Sequence, residues 1–133
     1  MTREERIEYS KLRIDSAYNT FEAAKVLVQN GFWNSAVNRL YYAVFYAVNA
    51  LLTLNEMDSQ THSGVRTQFS KNFIKTGKLD KKYGKLLVQL YDWRQQGDYE
   101  NLFDFSEETV IQLIEPVSEM LFTIDKEIKN ELL

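Results

Sequence analysis

The stretch from Gly31 to Leu54, GFWNSAVNRLYYAVFYAVNALLTL, limits the possible fold more than any other part of the chain. Ala36, Leu40, Ala43, Ala47, Ala50 and Leu54 recur at steps of three and four, and so do Val37, Tyr41, Val44, Val48 and Leu51. On one helix these two rows cover well over half the circumference, wider than the stripe of a surface helix; a helix apolar that far round sits at the centre of a bundle. A third row, Arg39, Tyr42, Tyr46, Asn49 and Thr53, keeps the same period and puts a guanidinium, two phenols and an amide on the remaining side. Such groups need partners inside the fold, or they face a site.

The flanking sequence supplies what would surround that helix. Thr2 and Glu5 fit a capping box, and Ile7, Ile14, Phe21 and Val28 recur beside the small row Ser10, Ala17 and Ala24. This spacing predicts a first helix from Thr2 to about Asn30, stopped by a left-handed Gly31 and folded back on the central helix as a hairpin. The central helix should end near Asn55. A third helix, capped by Ser59 or Thr61, carries His62, Val65, Phe69 and Phe73 on one side and should stop at Thr76-Gly77. A fourth, capped by Asp80, should run through Gln96 with Tyr83, Leu86, Leu87, Leu90 and Trp93 inward and Gly97 as its stop. Residues 98–105 then read as a loop pinned by Tyr99, Leu102, Phe103 and Phe105. Ser106 caps a fifth helix with Glu107 and Glu108 in its first turn, where the dipole favours them, and an apolar row from Val110 to Ile128. The expected fold is therefore all-α, an up-and-down bundle of about five helices forming a single domain over residues 1–133.

Composition narrows the chemistry. With no Cys, disulfides and thiolate metal sites are excluded, and one His leaves a histidine-built metal site without a second imidazole, so no metal is expected. No P-loop, dinucleotide fingerprint or nucleophile elbow occurs, and no cofactor is expected. The charged Met1–Tyr9 segment has no apolar signal region behind it, and the longest apolar run, Leu40 to Leu54, would be about 22 Å as a helix, too short for a bilayer. A cytoplasmic protein without membrane contact is the expectation. The net charge of −3 argues against broad non-specific nucleic-acid binding. It leaves room for a local strip, and Lys71, Lys75, Lys78, Lys81, Lys82 and Lys85 form one with Asp80 as the only acid among them. That strip is either a solvated surface or a contact for RNA phosphates or an acidic partner.

Three blocks carry a resemblance: RLYYAVFYAVNALL from Arg39 to Leu52, THSGV from Thr61 to Val65, and RQQGDY from Arg94 to Tyr99. In this order they resemble the small prokaryotic HEPN domain proteins, over most of the chain from about Ala17 to Val117. The resemblance implies a helical bundle, usually a homodimer. It also implies, in many members, a metal-independent ribonuclease toxin encoded beside a minimal nucleotidyltransferase that restrains it; other members are non-catalytic binding modules. The family's catalytic motif is an Arg, four to six intervening residues and a His on one helix. Arg39 fills the first position, and after six intervening residues Tyr46 stands where the His would be. Seven residues are almost two turns, so both share a face about 10 Å apart along the axis.

Tyrosine is a poor substitute for the imidazole. At an unperturbed pKa of about 10, roughly one phenol in a thousand is ionised at pH 7, and losing a general base typically costs about 10²–10⁴-fold. Leu40, next to Arg39, departs from the small polar residue often found there. Weak or absent RNA cleavage is expected, with Arg39, Tyr46 and His62 as catalytic candidates and Tyr42, Asn49, Arg94 and Asp98 as ligand-facing candidates. Each has a plainer reading. Arg39 could pair with Asp98 or Asp92; Tyr42 and Tyr46 could be core or interface phenols; His62 could be a satisfied core or capping residue; Arg94 and Asp98 could form a helix-end ion pair. The alternative function is a non-catalytic nucleotide-binding or protein-interaction module partnering a nucleotidyltransferase. RNA, a nucleotide, a second copy and that enzyme are the partners to test.

Overall fold

The computed structural model describes residues 1–99 and 104–133. Five helices succeed one another: α1 (Arg3–Gln29), α2 (Trp33–Leu54), α3 (His62–Phe69), α4 (Lys81–Tyr99) and α5 (Glu107–Glu131). Helix α1 opens with the expected reciprocal cap, Glu5 N–H donating to Thr2 Oγ1 at 3.1 Å and Thr2 N–H to Glu5 Oε1 at 2.9 Å. It closes with Gly31 at φ +76°. There Phe32 N–H reaches back to the Leu27 carbonyl at 3.0 Å, which reverses the chain into α2.

Helix α2 is the hub. It packs on α1, α4 and α5 and, more lightly, on α3. Thirteen of its residues are buried, including both apolar rows read from the sequence. Against it α1 lays Ile14, Ala17, Phe21 and Ala24, while α5 buries Val110, Val117, Leu121, Ile124 and Ile128 in the same core. Ser10, in the small row of α1, donates its hydroxyl to the Ala50 carbonyl at 2.9 Å. Helix α3 packs on α2 and α4, whereas α1 packs on α2 and α5. Because α1 and α3 do not meet, a strip of α2 remains open between them.

The third helix departs from expectation. Its α winding stops at Phe69, and Ser70–Ile74 form a π turn, with Lys75 N–H donating to the Ser70 carbonyl five residues back at 2.8 Å. The capping residue is Thr61, whose hydroxyl accepts Gly64 N–H at 2.9 Å. Helix α4 is also longer than expected, because Gly97 does not stop it. Gly97 serves close packing instead: a Cβ there would lie 3.1 Å from the Phe105 ring and 3.4 Å from the Asn34 side chain. Asp98 and Tyr99 are therefore helical rather than in a loop, and Tyr99, expected to pack down, is 73% exposed. Phe105 is buried as expected, while Leu102 and Phe103 lie outside the described residues. Among the described residues no helix is long and apolar enough to cross a membrane.

Candidate functional site

The open strip of α2 meets the first turn of α3 and the middle of α4 in a cluster of rings and cations. Tyr42 is its centre. The Arg39 guanidinium lies 5.1 Å from the centroid of the Tyr42 ring, and the ring centroids of Tyr46 and His62 lie 5.9 and 6.1 Å from it. The structure thus brings Arg39, Tyr42, Tyr46 and His62 around one phenol. Asn49 stays apart: it accepts a hydrogen bond from Thr53 at 3.0 Å, one turn further along α2, and Thr53 is buried rather than part of an open row.

Among the described residues Arg39 makes no ion pair. Its Nε and Nη2 both donate to Asn38 Oδ1, at 3.0 and 2.8 Å, and among the described residues no carboxylate lies within ion-pair reach. The expected alternatives, pairing with Asp98 or Asp92, do not occur among them. Asp98 is reached at second hand, since Asn38 donates its amide N–H to Asp98 Oδ2 at 3.0 Å. Arg39 is half-buried and keeps Nη1 unengaged among the described residues. A cation held by a neutral side chain retains its full charge for an anion.

Arg94 is not an exposed helix-end residue. It is buried within a box of three tyrosines, its guanidinium 5.2 Å from the Tyr41 ring centroid, 5.5 Å from Tyr42 and 5.4 Å from Tyr91. Nη1 donates to the Tyr42 hydroxyl at 3.3 Å and lies 3.8 Å from Asp98 Oδ2. Among the described residues Nε has no hydrogen-bond partner, so ring faces replace part of its lost hydration. Asp98 therefore joins two guanidinium systems, Arg94 directly and Arg39 through Asn38.

His62 opens α3, half-buried, its ring centroid 4.7 Å from that of Phe45. Its Nδ1 and the Tyr41 hydroxyl share a 2.6 Å hydrogen bond, which leaves Nε2 as the nitrogen available to a ligand. Burial, then the nearby Arg94 and Arg66 charges, hold its pKa below the usual imidazole value, so the neutral ring prevails at pH 7. Tyr41 is pushed the other way, well above the usual phenol range, because burial outweighs the help of Arg94. Tyr41 therefore stays a neutral phenol at pH 7.

Several members of the cluster went unread in the sequence. Tyr41 sits in an apolar row and is fully buried, yet a buried phenol needs a partner, and that requirement pointed to a polar neighbour. Arg66, whose guanidinium lies 4.1 Å from the Tyr91 ring centroid, stands one turn after His62; Tyr91 stands one turn before Arg94. Arg13 on α1 lies 5.2 Å from the Tyr46 ring centroid and donates to the Tyr9 hydroxyl at 2.9 Å, so Tyr46 is held on the α1 side of the cluster. Among the described residues no three His, Cys, Asp or Glu side chains stand close enough to hold a metal ion.

A helical bundle with a cation-and-tyrosine cluster on its central helix is what the geometry defines. The chain belongs to the HEPN domain family, whose model matches residues 10–127. It is 40% identical to a "UPF0332 protein" of Thermotoga maritima over 96% of this chain and 95% of that protein. It is similar to two proteins of Methanocaldococcus jannaschii. One, named "Putative toxin MJ0142", is 37% identical over 80% of this chain and 72% of its own length. The other, named "Putative toxin MJ0605", is 34% identical over 65% of this chain and 64% of its own length.

Proposed function

We propose that this chain is a toxin-type HEPN protein that engages the phosphodiester backbone of RNA at the Arg39–Tyr42–His62 cluster, with cleavage weak or lost. The observation that carries this reading is the state of Arg39. It is a half-buried guanidinium with no carboxylate partner among the described residues, and it shares the Tyr42 ring with the protein's single imidazole. The names of the two archaeal relatives support the toxin-type role.

If cleavage occurs, the 2′-hydroxyl of ribose attacks the adjacent phosphorus. A new 2′-O–P bond forms, the P–O5′ bond breaks, and the products are a 2′,3′-cyclic phosphate and a 5′-hydroxyl. The 2′-OH proton must leave and the 5′ oxygen must gain one. Arg39 stabilises the charge that builds on the phosphate. His62 exchanges a proton through Nε2 in the tautomer whose Nδ1–H donates to the Tyr41 hydroxyl, and its depressed pKa keeps the ring neutral at pH 7. Tyr46 binds or orients the phosphate without acting as a base. The strip between α1 and α3 is the face on which a second copy would dock to complete the site as a homodimer, and a small nucleotidyltransferase is the proposed restraining partner.

A second reading is favoured by Tyr46. It occupies the position of the family's histidine and is already held by Arg13 through its ring, which suits a non-catalytic module that binds RNA or a nucleotide. One experiment separates them. Purified protein is incubated with RNA in EDTA beside Arg39→Ala and His62→Gln. Cleavage lost in both variants supports the enzyme. RNA binding that needs Arg39, with no cleavage in any sample, supports the module, and neither binding nor cleavage removes both readings. Co-purification with the product of a neighbouring nucleotidyltransferase reading frame tests the partner.

A further inference from the structure

On the far side of Arg66 from His62, α3 and the π turn diverge from α4 and leave a groove of about 640 Å³. Its floor is apolar, formed by Phe69, Ile74, Leu87 and Val88, with Trp93 at one end. Val88 is 45% exposed there, although α4 otherwise turns its aliphatic side chains inward. A second, shallower depression shares Arg66, Ser70 and Val88 with it and carries the trough on toward Lys71 and Lys75. The extra residue of the π turn widens this side of the helix, and the absence of a side chain at Gly84 lets Ile74 approach the opposite wall, where a Cβ would lie 3.2 Å from it.

The rim is cationic. Lys81 and Lys85 line one wall, and Arg66, Lys71 and Lys75 the other, against a single acid, Asp92. Among the described residues none of these four lysines has a carboxylate within ion-pair reach. Lys82, on the adjacent face of α4, is paired with Glu119 at 2.6 Å. The carboxylates of an acidic chain are thus reduced to Asp92 along the described lining of this trough, although acids outnumber bases 19 to 16 overall. Unpaired cations on both rims with an aliphatic floor between them match one kind of occupant: a helix with apolar side chains along one stripe and Glu or Asp on both flanks. Single-stranded RNA fits less well, since its bases need open aromatic faces, and Trp93 already packs against Phe105 at 5.5 Å between centroids.

We infer that this groove is a docking site for an acidic amphipathic helix of a partner protein, separate from the Arg39 cluster and joined to it through Arg66. An occupant that drew Arg66 toward its own carboxylates would lift it off the Tyr91 ring, so docking is positioned to alter the surroundings of His62.

The test uses the full-length protein and a fluorescein-labelled synthetic helix of about 18 residues, five turns, with Leu at i, i+4, i+7 and i+11 and Glu at the other exposed positions. Anisotropy reads the binding. The expected result is an affinity that falls about tenfold or more in the Lys81→Glu, Lys85→Glu double variant, is lost in Val88→Asp, and is unchanged in Lys126→Glu on α5. The same peptide with Lys in place of Glu should not bind. All four substituted positions are exposed, and far-UV circular dichroism checks that the helices persist; Lys85→Ala replaces any variant that loses them. Four results overturn the proposal. The peptide binds but the groove variants do not weaken it, or it does not bind at all. Labelled oligouridine binds with the dependence on Lys81 and Lys85 that the peptide lacks. Or the protein self-associates through these residues in sedimentation while the peptide stays free. None of these outcomes depends on Arg39, so the groove and the Arg39 cluster stand or fall separately.

Discussion

On the side facing α1, helix α2 is met by Ile14, Ala17, Phe21 and Ala24, and one buried hydroxyl, Ser10, is satisfied by the Ala50 carbonyl at 2.9 Å. On the side facing α3 and α4, the same helix offers Tyr41 and Tyr42 to an imidazole and to the buried guanidinium of Arg94. The first junction is fixed by shape, with small residues letting two backbones approach. The second is fixed by charge, ring faces and shared protons, and its polar groups are satisfied chiefly by one another. Both are packed, but only the second keeps groups able to bind an anion or move a proton. A helix can therefore serve as the scaffold on one face and as the reagent on the other.

Substitutions should separate the two faces. Phe21→Ala empties a buried position on α1 and should cost about 3–5 kcal/mol, read as a lower urea midpoint. It should not alter the RNA response of the fraction that remains folded. Arg39→Ala should do the reverse: an about 10²-fold loss of RNA cleavage or a comparable loss of binding, with stability changed by no more than about 0.5 kcal/mol. Ser10→Ala should cost about 1 kcal/mol, since it leaves the closed junction its shape and removes a single hydrogen bond.

The smallest effect is the most diagnostic. The folded pKa of His62 is depressed, by burial first and then by Arg94 and Arg66, so between that value and about 6.5 the unfolded chain binds more protons than the folded one. The contribution of His62 to stability is complete above about pH 6.5 and is lost as pH falls through the folded value. In His62→Gln, denaturation midpoints should be flatter across that window. Arg94→Met removes one of the charges opposing the imidazolium and should raise the His62 pKa. With one histidine in the chain, NMR titration reads that shift without assignment, and an unchanged value would show that the tyrosine box, not the guanidinium, sets it.

The closed face was legible in the sequence because it depends on period. Ile14, Phe21, Ala17 and Ala24 on α1, and the two rows of α2, need only recur every three or four residues to declare which way they point. Thr2, Thr61 and Ser106 announced helix starts by local hydrogen bonding, and each accepts the bond expected of it. The open face was only partly legible. Arg39, Tyr42, Tyr46 and His62 could be singled out by type, but their meeting around Tyr42 depends on how α3 and α4 cross α2, which no spacing encodes. Tyr41 was hidden by its own regularity, since a row that is otherwise apolar reads as core. Gly97 and Asp98 were misread because a glycine chosen for close packing looks, one position at a time, like a glycine chosen to end a helix.

The wide turn at Ser70–Ile74 makes chain length itself a variable under constraint. A π turn holds one residue more than an ordinary one, so deleting a single residue there would let the segment rewind and rotate α3 by about 100° relative to the chain beyond Ile74. Arg66 could not then remain over Tyr91 while Lys81 kept its place, even with every other side chain unchanged. Relatives that differ here by one residue in length, rather than in identity, would carry a differently shaped trough on the same scaffold.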